Sequence, residues 1–400
     1  MRVAIVSDNF YPEIGGIQDS IVGLALGLKS QGHEVDFYAP RASTHDFEIV
    51  KLPVRELDLG PHVRVHRFAS IPIPSPTLQS RLVIPTFTRW RTIQKSRPDV
   101  IHSHGFFGLG LEAIRAAKML KVPLVGTNHW AFSEFAKYVP IVPRVWFERY
   151  SLKYVSWYFN HCDFVSAPSR SVLTEMQAFG FHRLCQVVSN PIDTRIFRPT
   201  SLTARKRLKK EFGLPGMTMV YAGRLAPEKK IDVLIRALPL IQKSVPKISL
   251  ALAGHGSERD ELERLAKELN VSDAVKFVGT LDKPRLAQLF QASDVVTITS
   301  TSETQSMVIL QAMAAGLPAI AVRWRALTEL VKPENGFLID ANNHIQLAEK
   351  VMLLAKKPAL GLELGAAAAA AMHKFSATEV EKTWEKIYAS IIKDYRTRRL

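Results

Sequence analysis

The stretch Thr299–Val322, TSTSETQSMVILQAMAAGLPAIAV, decides the fold class. The β-branched run before it, Val295 to Ile298, reads as a buried strand leading into a polar corner, Ser300-Thr301-Ser302-Glu303-Thr304. Met307, Leu310, Gln311 and Ala314 recur at helical spacing, so the corner opens a helix. Gly316 and Pro318 stop that helix, and Ala319 to Val322 begins another strand. Strand, helix and strand make a βαβ unit. Such a unit places ligands at the carboxyl ends of its strands, where unpaired backbone N–H groups and the positive helix end attract anions. Glu303 is the unusual residue of the corner. A carboxylate there can accept hydrogen bonds from sugar hydroxyls while the helix start holds phosphates. Equally, it can be a capping or first-turn acid.

The same pattern recurs upstream. Gly223-Arg224-Leu225-Ala226-Pro227-Glu228-Lys229-Lys230 follows the strand Met217 to Ala222 and precedes a helix. Arg224 offers an anion a planar fork and Lys229 a point charge; a solvated basic turn has the same composition. Ile248 to Ala253 with Gly254-His255-Gly256 repeats the strand-and-glycine arrangement, as does Val275 to Gly279. Downstream, the alanine run Ala366 to Ala371 reads as helix. The final helix, Thr378 to Lys393, carries Val380, Trp384, Ile387 and Tyr388 on one face, which must pack on something.

The first half opens with a strand, Arg2 to Ser7, a loop from Asn9 to Gly16, and a helix from about Gln18 to Ser30. Gly15-Gly16 lets a ligand approach the backbone, although a turn needs glycine too. Gly32 to Tyr38 is turn and second strand, completing a Rossmann-like opening. The six-residue glycine fingerprint of dinucleotide sites is missing, which counts against a nicotinamide enzyme. Three further strands, within 99–105, 122–127 and 163–169, run into polar ends and place His102, His104 and His129 where sites form. Their spacing matches no compact zinc pattern. Structural roles suit His102 and His104. Ser189 to Pro199 and the charged helix Ala204 to Phe212 put a domain boundary near 195–215.

At 400 residues, 47% hydrophobic and 22% charged, the chain can build two well-cored domains. Two cysteines, Cys162 and Cys185, offer neither a disulfide framework nor a metal set, so a reducing interior is expected. The N-terminus enters a strand directly, without the pattern of a signal peptide. No apolar run reaches the roughly 18 residues of a spanning helix. The net charge of +16 calls for an anionic partner. Residues 81–153 hold 12 Lys+Arg against 4 Asp+Glu, so much of that charge is local. Within Phe132 to Tyr158, nine aromatic rings are interleaved with Lys137, Arg144, Arg149 and Lys153. That mixture suits a membrane interface or single-stranded nucleic acid; a core helix with a solvated edge is the plain alternative. Arg81 to Arg97 adds a second basic, partly apolar run.

Five segments in order resemble the GT-B-fold glycosyltransferases of family 4. They are Pro12-x-x-Gly15-Gly16; Asn190-Pro191-Ile192-Asp193 with Phe197-Arg198-Pro199; Gly223-Arg224-Leu225 with Glu228-Lys229; Gly254-His255-Gly256; and Ser302-Glu303-Thr304 with Ala315-Gly316-Leu317-Pro318. Within that family, His129-Trp130 with Tyr138-Val139-Pro140, and Asn160 to Ser169, look like the diacylglycerol α-glucosyltransferase branch.

The resemblance implies an α/β protein of two Rossmann-like domains facing across a cleft: residues 1–198 on the acceptor side, 199–375 for the nucleotide sugar, with 376–400 packing back on the first. By the family pattern, Arg224 and Lys229 neutralise the leaving diphosphate in place of a metal ion, so no metal and no cofactor are expected. Glu303 binds donor-sugar hydroxyls, aided by the amides of Thr304, Gln305, Ser306 and Met307. His129 contacts the donor sugar, Gly15 and Gly16 allow close approach to the phosphates, and Gly254 and Gly256 line the substrate. Gln311 stands where the family has a second glutamate; an amide both donates to and accepts from a hydroxyl, so nucleotide preference can shift. Lys230 replaces a usual glycine. The implied reaction is retaining transfer of a hexose, glucose from UDP in the simplest case, to a membrane lipid such as diacylglycerol; a soluble acceptor is the alternative. The implied location is cytoplasmic, peripheral at the inner face of the cell membrane, on an anionic surface met by 81–97 and 132–158. Specific nucleic-acid binding is not expected.

Overall fold

Each of the strands read above is a strand in the computed structural model, which describes residues 1–398 except 14, 51, 74, 76–78 and 131–143. The chain divides into two compact units, Met1–Pro191 with Ala377–Leu400, and Ile192–Ser376.

In the first unit, the strands are β1 (Arg2–Val6), β2 (Glu34–Pro40), β3 (Val63–Phe68), the short β4 (Ile71–Pro72) and β5 (Arg81–Leu82), then β6 (Val100–Ser103), β7 (Leu124–Thr127), β8 (Phe164–Ala167) and β9 (Cys185–Val187). β4 and β5 form a separate antiparallel ribbon. The other seven make one parallel sheet in the order β3-β2-β1-β6-β7-β8-β9. Val3, Ala4, Ile5 and Val6 are all buried, as a parallel sheet covered on both faces requires. The helix Ala377–Thr397 inserts Val380, Trp384, Ile387 and Tyr388 into the same core as Ile21, Leu24 and Leu28 of the helix Gly16–Ser30. The apolar face read from the last helix therefore has its partner inside this unit.

The second unit holds β10 (Thr218–Ala222), β11 (Ser249–Ala253), β12 (Val275–Gly279), β13 (Val295–Ile298), β14 (Ala319–Val322) and β15 (Gly336–Ile339). They form a parallel sheet in the order β12-β11-β10-β13-β14-β15. The alanine run lies in the helix Pro358–Met372, which packs Leu364, Ala368 and Met372 into this core. Both sheets reverse their strand order beside the first strand, between β1 and β6 and between β10 and β13. Open α/β sheets place ligand sites at such reversals.

Candidate functional site

The carboxyl ends of β10 and β13 lie side by side at the second reversal. Chain leaving β10 passes through Gly223 and Arg224 into a single 3-10 turn, Pro227–Lys229, which Lys230 ends in the left-handed region at φ 52. Chain leaving β13 reaches Thr299, whose hydroxyl donates to the carbonyls of Lys229 at 3.1 Å and Lys230 at 2.8 Å. That tie brings the basic turn against the acidic corner. Lys229 Nζ then donates to Glu303 Oε1 at 2.7 Å, with the two side chains 17% and 14% exposed. Arg224 donates to Glu228 Oε1 at 2.6 Å, and the Tyr221 hydroxyl donates to the Arg224 carbonyl at 2.9 Å. Burial holds the Tyr221 phenol well above its usual range, with Glu303 and Glu228 adding to the effect, so it remains a donor.

Glu303 is not the helix cap. Ser306 takes that position for the helix Met307–Ala314, its hydroxyl accepting from Ile309 N at 3.4 Å. Thr304 and Gln305 connect Glu303 to this cap, and Met307 is the first helical residue. Gln311 is buried one turn further on. Gly254 and Gly256 have a packing reason to be glycine. At φ +135, a Cβ on Gly254 would lie 1.9 Å from the Gly223 carbonyl oxygen, and one on Gly256 would lie 2.2 Å from that of Leu225. The loop after β11 is thereby pressed onto the loop that carries Arg224.

In the first unit, the ends of β1, β6 and β7 surround the other reversal. Gly15 has φ 178, extended backbone open to any residue, and precedes the first residue of the helix, Gly16. Asp8, not singled out from the sequence, is 5% exposed and accepts from Phe107 N at 3.0 Å and Leu109 N at 2.9 Å. Burial outweighs these hydrogen bonds and raises its carboxyl to about 6. His104 Nδ1 and His129 Nε2 share a hydrogen bond at 2.9 Å. His102 bonds Tyr388 Oη through Nδ1 and Thr127 Oγ1 through Nε2, each at 2.6 Å. Burial lowers all three imidazoles, His129 to about 4, so they are neutral at ordinary pH. Among the described residues, no group of three or more His, Cys, Asp and Glu side chains is arranged to hold a metal ion.

Residues 14–196 match the family model for Glycosyltransferase Family 4, and residues 204–371 that for glycosyl transferases group 1. The chain is a family 4 glycosyltransferase. It is 25% identical, over 98% of both chains, to an alpha-monoglucosyldiacylglycerol synthase of Acholeplasma laidlawii. It is 28% identical to a GDP-mannose-dependent alpha-mannosyltransferase of Corynebacterium glutamicum, over 85% of this chain and 77% of that one. The fold is shared with the Anabaena protein HepE, crystallised with UDP, at a TM-score of 0.76 and 20% identity over 98% and 100% of the two chains. These are the GT-B neighbours expected of two parallel-sheet α/β domains.

The glycosyltransferase also carries, in its first unit, a helix whose outer face is aromatic and basic. The helix Arg144–Phe159 buries Leu152, Val155, Tyr158 and Phe159 but exposes Trp146, Arg149, Tyr150, Lys153 and Trp157 on the other side. Trp146 stacks on Tyr150, and Tyr154 on Trp157. The aromatic-basic run extends upstream of this helix into 132–143, which lies outside the described residues. The second basic run, 81–97, exposes Ile84, Phe87, Arg91, Lys95 and Arg97. Its loop is held by Glu112, a buried carboxylate that accepts from the amides of Thr86 at 2.6 Å, Phe87 at 2.7 Å and Arg89 at 3.3 Å. Phe87 is left-handed at φ 57. Each run is tied to the start of the helix Gly108–Leu120: Glu112, its fifth residue, holds the loop, Tyr154 donates to Phe106 O just ahead of it, and Phe107 is exposed. Among the described residues, no helix is long and apolar enough to cross a membrane.

Proposed function

We propose that this glycosyltransferase moves a hexose, with retention and without a metal ion, from a nucleotide diphosphate to a membrane lipid. Glucose, UDP and diacylglycerol are the first candidates. The observation that carries the chemistry is the Lys229–Glu303 contact at the strand-order reversal, with Arg224 on the neighbouring loop. A hexosyl diphosphate needs cations for its leaving group and an acceptor for its hydroxyls, and this corner offers both. Breaking the bond from C1 to the phosphate oxygen leaves charge on the diphosphate, which Arg224 and Lys229 stabilise. The acceptor oxygen bonds to C1, and its proton leaves with the departing nucleotide. Glu303 accepts from sugar hydroxyls, with the Thr304 to Met307 segment closing around the donor. His129, Gly15 and Gly16 are the first domain's own candidates for meeting substrate, at the strand-order reversal of its sheet.

Support for a lipid acceptor comes from the rings and cations exposed on 144–159 and 81–97, a composition that partitions into an anionic membrane interface. The name of the Acholeplasma relative points the same way. We place the enzyme at the cytoplasmic face of the cell membrane. The test is transfer from a panel of sugar nucleotides, with and without diacylglycerol in anionic vesicles, reading product and anomeric configuration. Transfer only to a soluble sugar or acid would replace the lipid reading; no turnover of any sugar nucleotide would end both.

A further inference from the structure

Three histidines contributed by the ends of β6 and β7 form a series of packed rings that ends on the last helix. His104 lies 5.2 Å from His129, ring centre to ring centre, and 3.9 Å from His102. His102 in turn packs 4.6 Å from Trp384 and bonds Tyr388. Each ring has a different degree of freedom left. His102 is held at both nitrogens, by Tyr388 and by Thr127, whose hydroxyl also bonds Ser166 at 2.6 Å. His104 and His129 hold one another through a single bond, while His104 Nε2 and His129 Nδ1, both buried, have no partner among the described residues.

A bond between two neutral imidazoles contains one proton. Whichever ring donates it, one free nitrogen of the pair is an N–H donor and the other a lone pair. Neither ring can change tautomer without the other. The bond therefore ties the tautomer of His129 to that of His104, and a fixed tautomer is what a sugar-contacting group needs.

We propose that His104 is a positioning residue, fixing the tautomer and orientation of His129, backed by His102 on β6 and, through it, by Tyr388 on the last helix. The proposal rests on the sugar-contacting role given to His129 above. Its structural half can be read without turnover, from nitrogen-15 spectra of histidine-labelled whole chain above the ordinary histidine range. The His129 signals are identified by their loss in His129→Gln. In the wild type, His129 shows one neutral tautomer; in His104→Leu the tautomers average; His104→Asn, whose amide can still bond Nε2, restores a single form. Averaging in the wild type, or a single form in His104→Leu, overturns the proposal. In turnover assays, His104→Leu lowers kcat roughly tenfold with acceptor KM unchanged, and His104→Asn recovers most of it. Tyr388→Phe, which removes only the hydroxyl, gives a smaller loss in kcat. Unchanged kcat in His104→Leu despite averaged tautomers also refutes the positioning role. If the wild type turns over no sugar nucleotide, the catalytic reading fails while the spectra still decide what sets the His129 ring.

Discussion

Lys229 and Glu303, from the ends of two different strands, meet at 2.7 Å in a corner where each is less than one-fifth exposed. The pair holds a donor and an acceptor together before any ligand arrives. Lys229→Ala and Glu303→Gln should each lower turnover by ~10²–10³-fold. Because the two touch, the double variant should lose less than the product of the single losses. Fully multiplicative losses in steady-state kinetics would show that the contact has no part in catalysis.

Arg224 acts from the neighbouring loop, and its partner Glu228 is itself buried. Arg224→Ala is expected to cost a similar ~10²–10³-fold in turnover with an unchanged circular dichroism spectrum. Arg224→Lys should recover only part of it, since a point charge cannot reproduce a planar fork. Near-normal rates in both Arg224→Ala and Lys229→Ala would remove the diphosphate from this corner.

The loop after β11 gives a stability prediction. Gly254→Ala places a methyl 1.9 Å from the Gly223 carbonyl oxygen in a backbone conformation that L residues rarely adopt. The substitution should destabilise the second domain by about 1–3 kcal/mol, measured by urea unfolding, and lower turnover by displacing Arg224. A variant as stable and active as the wild type would show that the loop shifts without consequence.

Acid should unfold the first domain through its histidines. Burial depresses His102, His104 and His129, and a group whose folded pKa is depressed contributes stability that is lost as pH falls toward that value. For His129, at about 4 against 6.5, the contribution is about 3 kcal/mol, complete above pH 6.5 and lost by about pH 4. Asp8 opposes it: raised from 3.8 to about 6, its contribution is lost as pH rises through that window. His33, also lowered chiefly by burial, acts in the same direction as the three imidazoles, so four groups against Asp8 leave a net loss toward acid. Denaturant midpoints measured across pH 4 to 7 should fall toward acid, less steeply in His129→Gln; a flat profile would contradict neutral buried rings.

Binding to anionic vesicles should depend on the exposed rings. Trp146→Glu with Trp157→Glu should cut co-sedimentation at least tenfold while leaving hydrolysis of free sugar nucleotide unchanged. Equal partitioning of variant and wild type would remove the membrane surface from this helix.

Alternation of β-branched runs with 3.6-period segments is a local signal, and the inner strands of both sheets were legible from it, whereas the edge strands β3, β9 and β15 were not. The last helix was legible as apolar on one face, but what it packs on is a long-range fact. Glu303 was ambiguous because a cap and a ligand-binding acid occupy the same sequence position after a strand; only Ser306 in the cap position removes the first of these readings. Asp8 gave no signal, since an aspartate two residues past a strand looks like any turn residue, and its partners Phe107 and Leu109 are about a hundred positions away. The helix Arg144–Phe159 was hard to read for a different reason. Its rings lie on both faces, so hydrophobic periodicity says little about which face is covered.

Glu112 has a further consequence for the proposed membrane contact. By collecting three amides around Phe87, it holds the loop in advance, so on that proposal Ile84 and Phe87 would surrender little further conformational freedom on meeting a lipid surface. Residence time on vesicles should then track the apolar area those two side chains insert, and loosening the loop through Glu112→Ala should shorten it even though no inserted atom has changed.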